Sequence, residues 1–401
     1  MNLRAGYPFS LVKNGLPFDY PKLEEDARTD ILVMGGGISG ALAAHYLIKE
    51  GIDCMLVDAR SIGLGSTCAS TSLLQYEIDK PLHQLITLVG KENAATAYRL
   101  CGQAITKLEA LARQIGFTGF TSARSLYYAA YKKDIPILAK EFESRRQQGF
   151  AVTYLDESAI RNEFGFKAPA AILSELAACI DAYLFTHQLL RYNMNKGLRV
   201  FDRTRVGSIQ HRKRNVALRT DGGHHILAKK LVYATGYEVV NFISKPIVSL
   251  HSTYATISES MSHPVRFGKK DTVIWNTAEP YLYMRATPDR RILIGGRDEQ
   301  FFSPTRRDRL IQAKAKQLKN DFNKLFPGKP FDTEFSWTGI FGSTKDGLPY
   351  IGPYKRLPNS YFSLGFGGNG ITFSQVAGEI IAGMVKGKKN RQAAVFSFER
   401  P

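Results

Sequence analysis

Two short apolar segments flank one amphipathic segment near the start of the chain. Ile31 to Met34 is a continuous apolar run, which predicts a buried parallel strand. From Ser39 to Glu50 the apolar residues recur at three- and four-residue intervals, which predicts a helix that ends at Gly51. Cys54 to Val57 is again continuously apolar and predicts a second strand. The pattern therefore predicts a strand–helix–strand unit with parallel strands.

Helical and extended patterns alternate along the rest of the chain. Helical spacing recurs in residues 81–117, 135–148, 156–164 and 184–195, and strands are predicted at 125–131, 199–206, 216–219, 225–227 and 231–234. From Pro246 to Phe335 the strands are richer in β-branched and aromatic residues, which is typical of an antiparallel sheet. A basic helix is predicted at 306–325. A strand at 361–364, the glycine-rich loop 365–370 and a helix at 373–386 close the chain.

Three glycines stand where the first strand turns into the helix. Gly35, Gly37 and Gly40 form G-x-G-x-x-G. Gly35 permits the tight turn, Gly37 lets the backbone approach a pyrophosphate, and Gly40 lets helix and strand pack closely. Asp58 ends the second strand, where an acid accepts hydrogen bonds from a ribose diol. Strand, helix and acid together predict a dinucleotide site.

The motif leaves the identity of the dinucleotide open. Both FAD and a nicotinamide cofactor bind this type of turn. Asp58 disfavours a 2′-phosphate, so NADP is the weakest candidate, although Arg60 argues slightly for it.

The charge of the chain is strongly basic. Its 401 residues carry a formal net charge of +18. Basic residues cluster at 211–214, 306–324 and 386–391. Solvated basic faces are the favoured interpretation, with an anionic substrate, a membrane surface or nucleic acid as alternatives. We do not expect a nucleic-acid partner, because aromatic residues are not interleaved with the basic runs and no nucleic-acid module is recognisable.

The cysteines and apolar runs indicate a reduced compartment. The four cysteines form no C-x-x-C pair and no metal-ligand spacing, so no metal is expected. The N-terminus lacks a signal-peptide core, and no apolar run reaches the length of a membrane span. We therefore expect a cytoplasmic protein without a transmembrane segment. The sequence does not indicate the oligomeric state.

Several motifs occur together in one order along nearly the whole chain. They are GGGISG with Asp58, GSTCAS at 65–70, LVYATG at 231–236, TKDGLPYIG at 344–352 and GFGGNGI at 365–371. In this combination the chain resembles the D-amino-acid-oxidase-like FAD oxidoreductases, the group that holds glycine oxidase and sarcosine oxidase. The resemblance implies FAD, because nicotinamide Rossmann domains lack a second glycine-rich ligand-binding segment near the C-terminus, such as the one at 344–371 in this chain.

The resemblance implies an α/β fold (α+β overall). A Rossmann-like FAD-binding domain with a mostly parallel sheet would carry an inserted substrate domain with a mixed or antiparallel sheet. The expected division is 1–80, 176–244 and 339–401 for the FAD-binding domain, the first part including an N-terminal arm packed over the surface, 81–175 for helices and part of the substrate domain, and 245–338 for the rest of it.

The resemblance also implies a set of cofactor-binding residues. Val206 matches the family position whose backbone meets the adenine, and the C-terminal glycine loop would cover the isoalloxazine. The full expected set is Gly35, Gly37, Ile38, Ser39, Gly40, Asp58, Ala59, Arg60, Ser66, Thr67, Ala69, Ser70, Val206, Ala234, Thr235, Gly236, Gly342, Gly367, Gly368, Asn369, Gly370 and Ile371.

The chain departs from the family at two positions. Glycine oxidase has Arg-Pro where this chain has Phe341-Gly342, and an Arg in the final glycine loop where this chain has Gly368. Those arginines bind the substrate carboxylate. The resemblance therefore does not carry a simple amino-acid substrate over to this chain.

Candidate substrate residues lie in the predicted inserted sheet. Tyr281, Tyr283 and Arg285 alternate and so share one face. We select Tyr254, Tyr283, Arg285 and Arg297 as candidate catalytic residues, since an inward arginine can hold a carboxylate by a bidentate pair. The alternative is that both arginines pair with Asp298 or Glu299 at the surface. His45, His251 and Cys68 are expected to be structural, Cys68 as a buried thiol rather than a flavin tether.

The leading functional hypothesis is an FAD-dependent oxidase or dehydrogenase. It would oxidise the C–N bond of a small amine or amino acid by hydride transfer to the flavin, with oxygen or another acceptor taking the electrons. One alternative is oxidation of a 2-hydroxy acid on the same scaffold. Another is a tRNA-modifying flavoenzyme, which predicts basic side chains converging around the mouth of the active site.

Overall fold

The computed structural model describes residues 1–243, 245–364 and 367–400. Ser244, at a predicted domain boundary, and Gly365 and Phe366, in the predicted C-terminal loop, lie outside the described residues. The strands are β1 (Arg4–Gly6), β2 (Ala27–Met34), β3 (Cys54–Val57), β4 (Leu73–Gln75), β5 (Phe120–Tyr128), β6 (Val152–Asp156), β7 (Ala170–Ile180), β8 (Arg199–Phe201), β9 (Val206–His211), β10 (Val216–Thr220), β11 (His225–Tyr233), β12 (Ser249–Ser258), β13 (Thr272–Asn276), β14 (Tyr283–Ala286), β15 (Ile292–Glu299), β16 (Thr333–Ser343), β17 (Tyr350–Pro353) and β18 (Ser360–Leu364).

The helices include most of those predicted from the sequence. They are α1 (Phe9–Asn14), α2 (Ile38–Lys49), α3 (Ser66–Ala69), α4 (Leu82–Val89), α5 (Lys91–Gln114), α6 (Ile135–Gln147), α7 (Glu157–Phe164), α8 (Ala182–Met194), α9 (Pro304–Arg309), α10 (Ile311–Leu325) and α11 (Gly370–Val385). Short 3₁₀ turns occur at Lys132–Asp134, Gly236–Asn241 and Arg391–Phe396. No helix in the described ranges is long and apolar enough to cross a bilayer.

The first sheet is parallel at its centre. Its main path is β17-β18-β11-β2-β3-β8, and the β9–β10 hairpin extends it through β11. The pairs from β18 to β8 are all parallel, whereas β17 is antiparallel to β18. Val33 pairs with Leu56 on one side and Val232 on the other, and all three are fully buried. Continuous apolar strands are typical of a sheet covered on both faces, and α2 packs between α8 and α11.

The second sheet is mostly antiparallel. Its order is β1-β16-β12-β15-β14-β13-β5-β7-β4, with β6 paired to β7. Only the β5–β13 pair is parallel among these pairs. Leu318 and Phe322 of α10 are fully buried in a core that also contains Met284 and Ile294 of the sheet. The predicted mixed α/β fold, with a mostly parallel sheet and a second antiparallel one, is confirmed.

Some predicted elements differ from those observed. The helical stretch 81–117 is two helices, because Gly90 adopts φ +82° between them. The stretch predicted as one strand at 199–206 is divided between β8 and β9, and Arg203 in the gap has φ +47°. β7 was not predicted, because its many alanines give no clear apolar alternation.

The two sheets exchange segments close to the site. β1, within the predicted surface arm, pairs with β16, with Arg4 opposite Gly339. β4 pairs with β7, so two strands from residues 1–80 belong to the second sheet. Trp337 of β16 donates its indole N–H to the Ala69 carbonyl at the end of α3, at 2.8 Å. These links fix the second sheet against the loop that follows β3.

Candidate active site

One continuous cavity runs between the two sheets. It begins at the carboxyl ends of β2, β3 and β11, at Met34, Val57 and Ala234. It passes the loop 65–75 and ends against β12, β14, β15 and β16 of the second sheet. A crevice at the carboxyl ends of parallel strands, where neighbouring connections leave in opposite directions, is where open α/β sheets bind ligands.

The glycine turn is packed so closely that side chains are excluded. Gly35 has φ +116°, and a Cβ there would lie 2.3 Å from the Ala234 carbonyl oxygen. A Cβ at Gly40 would lie 1.8 Å from the Gly35 oxygen. Gly35 and Gly37 line the cavity, whereas Gly40 is not among the lining residues and acts in packing. The N-terminus of α2, with Ile38 and Ser39, therefore faces the cavity and can receive phosphates.

Asp58 organises the loop after β3. Its Oδ2 accepts a hydrogen bond from the Gly36 amide at 2.6 Å, and its Oδ1 accepts one from the Arg60 amide at 2.7 Å. Burial raises the pKa of this carboxyl, although the two amide donors oppose the shift. Because each carboxylate oxygen has a second lone pair, ribose hydroxyls can still donate to Asp58. Arg60 pairs with Glu238 at 2.6 Å.

The loop after Arg60 contributes hydroxyl groups. Thr67 Oγ1 accepts from the Ile38 amide at 3.0 Å and so joins α3 to the start of α2. On the opposite wall, the Oγ1 of Thr235 is buried and has no hydrogen-bond partner. Both threonines line the cavity, together with Ala59, Ser66, Ala69, Ser70, Val206 and Gly236.

The C-terminal glycine loop approaches the cavity from the other end. Gly367, Gly368, Gly370 and Ile371 line it. Asn369 does not, because its side-chain amide donates to the carbonyls of Gln75 and Glu77 at 2.8 and 2.9 Å. Gly342 is also outside the lining, and its carbonyl accepts from the Gly367 amide at 2.8 Å. These two predicted contact residues instead hold the loop in place.

Aromatic residues form the end of the cavity at the second sheet. Tyr254, Tyr281 and Tyr283 line it, as does Thr253. The Tyr254 hydroxyl is directed to the Arg307 carbonyl at 3.4 Å, so this predicted catalytic residue turns its polar atom away from the cavity. Burial is the main cause that raises the pKa of Tyr283 to about 12.

The two candidate arginines lie outside this lining. Arg285 donates through Nε to the Thr71 carbonyl at 2.8 Å and so braces the loop 65–75. Arg297 forms a bidentate pair with Asp321, at 2.7 and 2.5 Å. Neither pairs with Asp298 or Glu299, the partners considered from the sequence. The geometry therefore does not bring either arginine to the substrate end.

A β-bulge explains why the candidate Arg297 does not face the cavity. Tyr254 pairs with Gly296 but Ser252 pairs with Glu299, so the intervening residues of β15 outnumber those of β12. Such a bulge redirects side chains. Arg297, with φ +57°, points to Asp321, and Asp298 lines the cavity instead.

Asp298 is the functional candidate that sequence reasoning missed. Its Oδ1 is inaccessible to water and has no hydrogen-bond partner. Burial and the negative charge of Asp79 raise the pKa of Asp298 to about 6, against a hydrogen bond from Thr253 and the charge of Lys314. The preceding Gly295-Gly296 pair was the available signal, because glycines in a strand often mark a bulge.

The remaining candidates occupy structural positions. His45 contacts Asn193 through Nδ1 at 3.1 Å, and burial lowers the pKa of its imidazole to about 4. His251 contacts the Ser343 hydroxyl at 3.0 Å. Burial raises the pKa of the Cys68 thiol to about 11. In the part of the chain that the structure describes, potential metal ligands form no cluster that could hold an ion.

The cavity suits FAD along its whole length. Val206 and Asp58 would hold the adenosine half, and the side-chain-free turn at Gly35 and Gly37 would admit the pyrophosphate. The orphaned hydroxyl of Thr235 is a donor that a bound cofactor would satisfy. The glycine loop beginning at Gly367 then stands beside the aromatic end, where the ring system of a flavin would meet a substrate.

Comparison with known proteins gives the same cofactor. The family model described as "FAD dependent oxidoreductase" matches residues 30–384. Gamma-glutamylputrescine oxidoreductase of Escherichia coli K12 is 25% identical over 391 residues, covering 94% of this chain and 87% of that protein. D-amino acid dehydrogenase of Granulibacter bethesdensis is 25% identical over 407 residues, covering 90% and 96%. The crystal structure of glycine oxidase from Geobacillus kaustophilus superposes with a TM-score of 0.77 at 20% identity, covering 93% of this chain and 99% of that one. The chain therefore belongs to the FAD-dependent oxidoreductase family, is an enzyme and uses FAD as its cofactor.

Proposed function

We propose that this enzyme oxidises the C–N bond of a small amine or amino acid, and that the reaction occurs at the end of the cavity lined by Tyr281, Tyr283 and Asp298. The observation that carries this proposal is the position of that end. It adjoins the glycine loop at Gly367 and Gly368 within the same cavity that suits the dinucleotide. When bound, FAD supplies an acceptor for a hydride from the carbon that bears the nitrogen.

The protein's own part in the reaction is to bind, orient and shield the substrate. Trp337, Ile340 and Phe341 give this end an apolar wall, and apolar walls limit the access of water. Tyr281 and Tyr283, whose ring centroids are 5.9 Å apart, both line the substrate space. The names of the two relatives, which refer to gamma-glutamylputrescine and to D-amino acids, support the same type of bond.

The alternative functions have less support from the geometry. A tRNA substrate predicts basic side chains around the mouth of the cavity. Among the described lining residues the only cations are Arg60 and Arg205. Arg60 pairs with Glu238, and Arg205 lies 3.7 Å from Asp221. Both are at the Asp58 end of the cavity, away from the tyrosines. Among the described residues that line the tyrosine end there is no cation for a substrate carboxylate, which disfavours a 2-hydroxy acid and, by the same reasoning, favours an amine over an amino acid.

The experiment that tests the proposal is anaerobic mixing of the FAD-loaded enzyme with three matched panels. They contain primary and secondary amines, the corresponding amino acids, and the corresponding 2-hydroxy acids. We expect loss of the visible flavin absorbance with a member of the first or second panel. Reduction by 2-hydroxy acids alone would refute the C–N assignment and leave the alternative, and an unchanged spectrum with all three would refute both.

A further inference from the structure

We infer that the substrate end selects amines that carry a positive charge and lack a carboxylate next to the reacting carbon, with Asp298 as the residue that holds the ammonium group. This inference rests on the proposed function and specifies its substrate class. Asp298 would then determine substrate specificity. The preferred substrate charge is positive, opposite to the negative charge expected if Arg285 or Arg297 held a carboxylate.

The first observation is the charge of the wall. At the tyrosine end, the described lining residues include one ionisable acid, Asp298, and no lysine, arginine or histidine. Three cations close to this end have other partners. Lys314 pairs with Glu299 at 2.5 Å, Arg297 pairs with Asp321, and Arg285 donates to the Thr71 carbonyl. A substrate carboxylate buried here would have no counter-charge, which is costly.

The second observation is the unmet capacity of Asp298. Its Oδ1 is sealed from water and receives no hydrogen bond. A buried acceptor of this kind costs free energy unless a donor reaches it. Asp298 as a residue lines the cavity, and an ammonium group there supplies both N–H donors and the charge opposite to its carboxylate, whereas a neutral ligand supplies donors alone.

The third observation is a second carboxylate just behind the wall. Asp79 accepts hydrogen bonds from the Tyr281 hydroxyl at 3.2 Å and from the Gly368 amide at 2.9 Å. A Cβ at Gly368 would lie 2.8 Å from Asp79 Oδ1 and 3.1 Å from the Tyr281 hydroxyl. A long cationic side chain therefore cannot be added at Gly368 without displacing these groups. The field from Asp79 adds to that of Asp298, although Lys80, next in the chain, offsets part of it.

The fourth observation is the aromatic surface. The rings of Tyr281 and Tyr283 lie close together, and Trp275 meets Tyr281 edge-on with centroids 6.2 Å apart. Both tyrosines lie near enough to Asp298 for its charge to raise their pKa values. Aromatic faces attract ammonium groups, and a neighbouring carboxylate strengthens that preference. All four observations favour a cation and disfavour an anion.

The test uses two small ions that differ in charge, tert-butylammonium and acetate. The first has N–H donors but no hydrogen on the carbon that bears its nitrogen, so neither ion is a substrate. Each is titrated into the oxidised FAD-loaded enzyme, and binding is followed by the shift of the visible flavin spectrum and by calorimetry. We expect tert-butylammonium to bind at least ten-fold more tightly than acetate. Asp298→Asn should raise its dissociation constant about ten- to a hundred-fold, the loss expected for one charge-assisted contact.

The control is Asp332→Asn, the same chemical change at a side chain that is 71% exposed in the same part of the fold. It should leave both dissociation constants and the FAD content unchanged. Acetate binding as tightly as tert-butylammonium to the unmodified enzyme would overturn the inference, even if Asp298→Asn fails to fold. So would an Asp298→Asn enzyme that retains FAD and binds tert-butylammonium normally. Either result leaves the proposed function standing if amines or amino acids reduce the flavin, whereas an unchanged flavin spectrum with every amine and amino acid would refute the proposed function and, with it, this inference about its substrates.

Discussion

Replacing Gly40 with alanine tests whether the first glycine motif is closed as tightly as the structure indicates. A Cβ at this position would lie 1.8 Å from the Gly35 carbonyl oxygen. Neither atom ends a flexible side chain, so the start of α2 must move away from the end of β2. Overpacking of this kind typically lowers the free energy of unfolding by about 1–3 kcal/mol and occasionally by more. Because the overlap at Gly40 is severe, we expect a cost of about 3 kcal/mol. Alanine regains about 1 kcal/mol of helix propensity. We therefore expect a net loss of about 2 kcal/mol or more in the free energy of unfolding.

The matched control is Gly102→Ala in the middle of α5. A Cβ there would meet Leu176 at 3.4 Å and Tyr76 at 3.8 Å, which is ordinary contact. The same substitution should therefore be neutral or stabilise by up to about 1 kcal/mol. The free energies of unfolding of the two variants should therefore differ by at least about 2–3 kcal/mol, with Gly40→Ala the less stable.

The assay is urea unfolding of the apoprotein followed by circular dichroism, with FAD affinity measured separately by quenching of flavin fluorescence. Gly40→Ala should lower the unfolding midpoint and weaken FAD binding, because the turn that contains Gly37 moves with the helix. Gly102→Ala should do neither. Equal midpoints and equal FAD affinities for the two variants would refute the reasoning about this turn.

Three further predictions concern charged side chains. The kcat/KM for an amine should fall as the pH drops through about 6, because Asp298 then becomes protonated and loses the charge that holds the ammonium group. A pH profile of kcat/KM checks this, and in Asp298→Asn the fall near pH 6 should be absent. Arg145→Met should reduce the free energy of unfolding by about 3–5 kcal/mol in a urea titration, because Arg145 is fully buried with Glu141 at 2.7 Å and Glu77 at 3.3 Å. Arg285→Met should leave the KM of an amine substrate within about two-fold while lowering the unfolding midpoint, because the guanidinium braces a loop and does not line the cavity; a ten-fold rise in KM would return Arg285 to the site.

The first βαβ unit of the nucleotide-binding sheet could be predicted from the sequence because the patterns that define it lie within one short segment. The strand at Ile31 to Met34, the helix after Gly37 and the strand at Cys54 to Val57 are all observed, the last with unchanged bounds. Glycine spacing and continuous apolar strands express constraints that act within one βαβ unit. The second sheet was harder, since its pairings join β1 and β4 to strands far away in the sequence.

The substrate end could not be derived from alternation alone. Alternation placed Tyr281 and Tyr283 at the cavity, and both line it. It does not extend to Arg285, which continues the same pattern but lies outside the lining. Arg297 was selected for its position at a strand end, and there a bulge shifts the register by one residue. A single inserted residue changes which side chain of a strand faces inward. Here Asp298, and not Arg297, faces the cavity. The charge preference inferred for the substrate follows from that exchange.

The most direct test of the central claim is the stoichiometry of one anaerobic turnover. The FAD-loaded enzyme is mixed with an excess of an amine that reduces it, and the flavin reduced, the carbonyl product and the released nitrogen compound are all quantified. C–N oxidation followed by hydrolysis predicts one carbonyl product and one ammonia or amine for each flavin reduced. Flavin reduction without release of nitrogen would contradict the account.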